Sequence, residues 1–236
     1  MAWSEARAAA GNPGRVKRSA RHLLTREALH SGAIDHLFNR YGGIPDRLTP
    51  EQLAASLARA MGAAPRGDIW VFAYGSLLWN PTIHFSERRV ARLHGFHRRF
   101  CLWSYIGRGT QEQPGLMLGL VPGGSCVGAA LRLPRASAQD ELALLWRREM
   151  IAGSYAPRWL PLQIEGVGRR SGLVFAMDRS NNRYAGDLAE ARVAKAVGSA
   201  CGPLGTCREY FEHTRASLAE LGVVDGMLER LWRRLG

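Results

Sequence analysis

The run from Ile69 to Pro81, I-W-V-F-A-Y-G-S-L-L-W-N-P, constrains this chain more than any other stretch. Ile69 to Phe72 is apolar, β-branched and aromatic, the pattern of a buried strand. The strand runs into Ala73-Tyr74-Gly75-Ser76, where the chain turns on small residues. Glycine at position 75 permits φ > 0, and its missing side chain lets a ligand approach the backbone. Ser76 adds a hydroxyl, and the N–H groups of such a turn form a small anion-binding nest. The stretch therefore reads in two ways, as a cradle for a carboxylate or as an ordinary strand and turn.

The remaining positive charge says something about ligands. Net charge is +12, and lysine occurs only at Lys17 and Lys195, so arginine carries nearly all of it. Such a field draws anionic small molecules, nucleic acids or acidic surfaces without choosing among them. No apolar run reaches 18 residues, and no membrane helix is expected. The first residues lack the apolar centre of a signal peptide. Four cysteines, Cys101, Cys126, Cys201 and Cys207, are too few for a disulfide scaffold in 236 residues. Free thiols in a reducing cytoplasm are the expectation.

At this length one domain is expected, with an appendage at the front. Residues 1 to about 22 read as a basic arm, and Thr25 to Arg40 as one or two short helices. Thr49-Pro50-Glu51-Gln52 predicts a capped helix, with Leu53, Leu57 and Met61 on one face. Residues 1–66 thus form a basic arm and N-terminal helical extension, and 67–236 the main domain. Val90 to Ser104 reads as two strand segments broken near Gly95. Leu116 to Val121 and Cys126 to Leu133 read as a hairpin across Pro122-Gly123-Gly124-Ser125. Ser137 caps a helix that runs to Glu149. Two strands follow, Trp159 to Glu165 and Gly172 to Met177. Helices are expected at about 186–198, 206–221 and 225–235. Strands gathered between helical ends make an α+β pattern around a mostly non-parallel sheet.

Motifs exclude several chemistries. There is no nucleophile elbow, phosphate loop or dinucleotide fingerprint. His94 and His97 lack companions at ligand spacing, so no metal and no cofactor is expected. Glu149 is the informative carboxylate. It lies seven residues after Leu142 and four after Leu145, and so continues the apolar stripe Leu142–Leu145–Trp146, with Arg147 and Arg148 turned away. Burial raises a carboxylate's pKa, and a helix C-terminus disfavours negative charge. Both effects suit a general base near neutral pH. The other reading is a structural glutamate paired with Arg148 or Arg158.

Four ordered segments add a resemblance. They are Tyr74-Gly75-Ser76-Leu77, the run Arg108-Gly109-Thr110-Gln111-Glu112-Gln113-Pro114-Gly115, Arg148-Glu149 with Gly153 and Tyr155, and Cys207-Arg208-Glu209-Tyr210 with Thr214. Together they resemble the ChaC-like γ-glutamylcyclotransferase family, whose members cleave glutathione. Ala73, Gln111 and His213 depart from the family pattern. The resemblance implies a small mixed β-barrel flanked by helices, and a lyase that turns glutathione into 5-oxoproline and cysteinylglycine. It implies Glu149 as general acid and base, and Ala73, Tyr74, Gly75, Ser76, Leu77 and Leu78 around the γ-glutamyl group. Arg108 is the expected partner of the glycyl carboxylate. Tyr210 either positions substrate or is a buried helix tyrosine. No nucleic-acid or membrane partner is expected. Two readings from other classes stand beside the enzyme. One is an RNA-associated protein using the basic strand His97-Arg98-Arg99-Phe100 to Trp103. The other is a non-catalytic regulator on the same fold.

Overall fold

A computed structural model describes residues 24–43 and 47–236. The basic arm expected over residues 1 to 22 lies outside the described residues. Five strands form a closed barrel: β1 (Ile69–Ala73), β2 (Glu87–Ser104), β3 (Gly115–Leu133), β4 (Tyr155–Ile164) and β5 (Gly168–Met177), in the order β1-β3-β2-β4-β5. All neighbours are antiparallel except β1 and β5, which pair in parallel through Trp70 and Val71 and close the barrel. The mixed sheet expected from the sequence is thus a closed one. Every residue of β1 is buried, as its unbroken apolar run requires.

Two expectations about strands need correction. The segments on either side of Gly95 are one strand, and so are those on either side of Pro122 to Ser125. These two long strands pair along their length, with Phe96 opposite Pro122 and His94 opposite Ser125. Gly123 and Gly124 therefore face Gly95, two residues against one, which is the arithmetic of a β-bulge. All three glycines have positive φ, at 108°, 63° and 81°. The glycine cluster bends a continuous ribbon where the sequence suggested a reversal. A bend of this kind lets strands of 18 and 19 residues serve two sides of a small barrel.

Seven α-helices surround the barrel among the described residues: α1 (Arg26–His30), α2 (Ala33–Arg40), α3 (Pro50–Gly62), α4 (Ala138–Glu149), α5 (Glu190–Ser199), α6 (Cys207–Glu220) and α7 (Gly226–Leu235). Thr49 and Gln52 form the expected capping box at the start of α3. Ser137 occupies the cap position of α4, but its hydroxyl turns back to the Pro134 carbonyl instead of capping the helix. At the start of α6, Thr206 and Glu209 form a second capping box. Helix α6 is docked on β3 by two matched contacts. The Cys207 thiol donates to Leu116 O at 2.8 Å, and Leu118 N–H donates to the Tyr210 hydroxyl at 3.3 Å.

The N-terminal helices dock on the far side of α4. Leu29, Ile34 and Phe38 pack with Ile106, Leu144 and Ile151 in a cluster of their own. Glu141 of α4 fastens this layer. Its carboxylate, 5% exposed, meets Arg26 at 2.5 Å and accepts the His84 N–H at 2.8 Å. Burial pushes the Glu141 pKa up, but the bonds from Arg26 and His84 outweigh it and hold the group below the usual range. A depressed folded pKa contributes stability above the unfolded value, and that stability is lost as pH falls through the folded one. Glu141→Gln is expected to lower stability near neutral pH by about 1–3 kcal/mol, the cost of weakened pairing at buried donors. Its deficit should shrink in acid, as denaturant melts at several pH values would read. An equal deficit at all pH values would mean that packing, not charge, holds the layer.

Candidate active site

The turn after β1 continues as a short 3-10 segment, Ser76–Leu78, closed by a bond from Leu78 N–H to Gly75 O at 2.9 Å. Gly75 does not adopt positive φ; its angles are −136° and −127°. The expected backbone reason for this glycine is therefore wrong, and a steric one replaces it. A Cβ here would lie 2.8 Å from the Tyr210 hydroxyl. The group that approaches the backbone is a tyrosine of α6, which couples the turn to that helix.

Glu149 ends α4 at the inner end of a cleft. The carboxylate is 13% exposed, and Oε1 is buried without a hydrogen-bond partner. Arg148 Nε lies 2.9 Å from Oε1, close enough for an ion pair but outside hydrogen-bond geometry. Desolvation raises the Glu149 pKa, and the Arg148 charge opposes that rise without cancelling it. Both readings of this glutamate thus have a physical counterpart, an inward carboxylate and an arginine pair.

Arg148 is a correction. Counted on the Leu142–Leu145 stripe it should turn away, yet its side chain is only 4% exposed. The buried face of α4 is wider than that stripe and includes Glu141 and Leu144. Arg148 lies four residues after Leu144 and three after Leu145, and so falls on this face. Its guanidinium donates to Ser76 Oγ at 2.9 Å, to Thr82 Oγ1 at 3.2 Å and to Asn80 O. Arg158, the other partner considered for Glu149, is exposed on β4.

A small pocket at the barrel mouth is lined by Tyr74, Gly75, Ser76, Leu77, Glu149, Tyr155 and Tyr210. A larger cleft of about 940 Å³, measured to where it opens, shares Ser76, Glu149, Tyr155 and Tyr210 with it. The structure thus gathers Gly75, Ser76, Leu77, Glu149 and Tyr210 around one space. Tyr74 borders it, with its hydroxyl donating to Phe175 O at 2.9 Å. Ala73 and Leu78 line neither cavity. Both are buried in the core, so the Ala73 methyl does not stand beside the pocket as the sequence suggested.

Arg108 lines the larger cleft. Its guanidinium stacks over Trp79 at 5.7 Å, donates to Thr206 O at 3.2 Å and faces Glu209 at 3.7 Å. Gly109 beside it is required by packing, since a Cβ would lie 2.1 Å from Gly115 N. Sequence reasoning considered Arg148 only as an ion-pair partner of Glu149 and gave no role to Tyr155, Trp79 or Arg183, all of which line the cleft with it. Arg148 and Tyr155 stood inside a quoted segment and were open to notice. Arg183 sits in a loop after β5 with no local pattern to mark it. Burial raises the pKa of Tyr74, Tyr155 and Tyr210, so their hydroxyls remain proton donors at neutral pH.

The steric reading of Gly75 is testable. Gly75→Ala is expected to cost about 1–3 kcal/mol through overpacking against Tyr210. Adding Tyr210→Phe should recover part of that loss, because the clashing oxygen is gone. Thermal melts of both single variants and the double would then show coupling. Strict additivity would mean that the two groups do not compete for space.

Comparison with known proteins places this arrangement in context. A family profile described as "ChaC-like protein" matches residues 69–235. A glutathione-specific γ-glutamylcyclotransferase of Escherichia coli is 42% identical over 212 residues, covering 89% of this chain and 90% of the relative. The human glutathione-specific γ-glutamylcyclotransferase 1 is 27% identical over 155 residues, 62% of this chain and 70% of that one. A crystal structure of a yeast γ-glutamyl cyclotransferase specific to glutathione superposes with a TM-score of 0.65 at 22% identity, covering 72% of this chain and 96% of that one. At that identity the likeness speaks for the fold.

Proposed function

Since this chain belongs to the ChaC-like family, we propose that it is a glutathione-specific γ-glutamylcyclotransferase, with Glu149 as its acid and base. The observation that carries the site assignment is the Glu149 carboxylate, inward at the end of the cleft with one oxygen lacking a hydrogen-bond partner. The relative in Escherichia coli, similar over nearly its whole length, supports the substrate.

The reaction asks for orientation more than for reagents. The α-amine of the γ-glutamyl group attacks the γ-carbonyl carbon and forms a five-membered ring. The bond to the cysteinyl nitrogen then breaks, giving 5-oxoproline and cysteinylglycine. Because attack is intramolecular, holding the chain folded back supplies much of the rate. The amine must lose a proton and the leaving nitrogen must gain one. Glu149 takes the first and delivers the second. A raised pKa makes it a better proton acceptor than an exposed glutamate, while Arg148 keeps part of it ionised.

The turn from Ala73 to Leu78 holds the γ-glutamyl end in this reading. Gly75, Ser76 and Leu77 do so directly, and Ala73, Tyr74 and Leu78 by supporting them from the core. The leading N–H groups of a helical turn have no partner within it, which suits a carboxylate or the developing oxyanion. Tyr210 accepts the Leu118 N–H, and its own proton is then available to the cleft. Arg108, stacked on Trp79, walls the cysteinylglycine side. The substrate carries a free thiol and the four cysteines are free, which suits a reducing cytoplasm. No helix among the described residues is long and apolar enough to cross a membrane. The basic strand that favoured RNA has much of its charge engaged, Arg98 with Asp225 at 2.5 Å and Arg99 with Asp187 at 3.0 Å.

Glu149→Gln keeps the shape and removes the base. It is expected to fold, to bind glutathione, and to form 5-oxoproline ~100- to 10,000-fold more slowly in single turnover. The acidic limb of the wild-type pH profile should vanish with it. Near-normal turnover in a folded variant would assign Glu149 to structure alone.

A further inference from the structure

Three arginines line the large cleft: Arg108, Arg148 and Arg183. Two of them already face carboxylates, Arg108 with Glu209 and Arg148 with Glu149. Arg183 has no ion-pair partner among the described residues. Its Nε donates to Trp103 O at 3.0 Å, and Nη1 reaches Ser154 Oγ at 3.4 Å. Both partners are neutral. Burial lowers its pKa, and the only titratable groups that oppose the shift are the phenols of Tyr155 and Tyr105. A half-buried guanidinium with no anion beside it offers a ligand carboxylate a charge-assisted partner.

Its position gives that ligand an orientation. Tyr155 lines both cavities with Glu149 and lies near enough to Arg183 to act on its charge. Arg183 lines the larger cleft but not the smaller pocket that Gly75, Leu77 and Glu149 share. A γ-glutamyl tripeptide whose scissile amide meets Glu149 carries two further residues past that bond, about 7 Å of extended chain. The chain ends in a carboxylate.

We propose that Arg183 anchors the carboxylate at the C-terminal end of the peptide substrate and makes the enzyme select a tripeptide over shorter γ-glutamyl compounds. The inference rests on the cyclotransferase reading and deepens it. Fixing the nitrogen side of the scissile bond, it leaves the cyclising end to the turn at Gly75. Arg108 remains a wall of the same cleft, its charge already answered by Glu209.

The test compares glutathione with glutathione amidated at its glycyl carboxylate, by 5-oxoproline release from wild type, Arg183→Gln and Arg183→Lys. Wild type should prefer the acid by about 10- to 100-fold in kcat/KM, the worth of a charge-assisted hydrogen bond to a buried carboxylate. Arg183→Gln should lose that preference through a rise in KM for the acid, leaving turnover of the amide and kcat nearly unchanged. Arg183→Lys should retain part of the preference. A wild-type enzyme indifferent to amidation would overturn the inference even if Arg183→Gln failed to fold. Equal losses on both substrates would also overturn it, assigning Arg183 to holding Trp103 and Ser154. If wild type released no 5-oxoproline from glutathione at all, the underlying cyclotransferase reading would fall, and the inference with it.

Discussion

The site depends on one buried cation. Arg148 sends its guanidinium across the cleft floor to Ser76, Asn80 and Thr82, and lies against the Glu149 carboxylate. A single side chain thereby ties the turn after β1 to the end of α4, two segments about 70 residues apart in sequence. Burying an arginine is expensive, and one carboxylate seldom repays the cost. Here three further donations, to a hydroxyl pair and a backbone carbonyl, offset part of that cost. The geometry that results is rigid where it has to be, between the group that moves the proton and the turn proposed to hold the substrate.

The second tie runs through Tyr210. Helix α6 sits on β3 by the contacts of Cys207 and Tyr210, and the tyrosine hydroxyl fills the space that a side chain at position 75 would need. The turn is thus clamped from two sides, by α4 through Arg148 and by α6 through Tyr210. Three segments that look unrelated in the sequence owe their shared placement to these two contacts. The outer cleft is built differently. Ile34 and Phe38 of the N-terminal helices, from outside the segment that the family profile matches, complete an apolar wall with Ile106 and Ile151 from within it.

What could be read from the sequence follows from the range of the physics involved. Local signals held: the capping box at Thr49, the buried run of β1 and the inward course of Glu149 depend on neighbours within a turn or two. Failures came where partners are distant. The Pro122 to Ser125 stretch has the composition of a reversal, and only its pairing with Gly95 across the ribbon makes it a bulge. Gly75 seemed to serve backbone conformation, and the residue that demands it lies 135 positions away. Arg148 was misplaced because the buried face of α4 is wider than three leucine-like positions imply. Arg183 lies in a loop, where side-chain direction follows no period.

A general base in a closed site faces a contradiction that the Glu149–Arg148 pair resolves. Removing a carboxylate from water strengthens it as a base but drives it to hold a proton permanently. A protonated glutamate cannot accept one from an amine. A neighbouring guanidinium restores the ionised form from the side of the oxygen that substrate does not reach. In this structure Arg148 sits at ion-pair distance from Oε1 without hydrogen-bond alignment. It therefore supplies charge to the buried oxygen, while spending its aligned donors on Ser76, Asn80 and Thr82, and the other carboxylate oxygen is not buried by it. The adjacent position in the sequence is what permits this. Neighbours on a helix differ by about 100° in direction, so Arg148 can lie beside the carboxylate while its donors point past it to the turn.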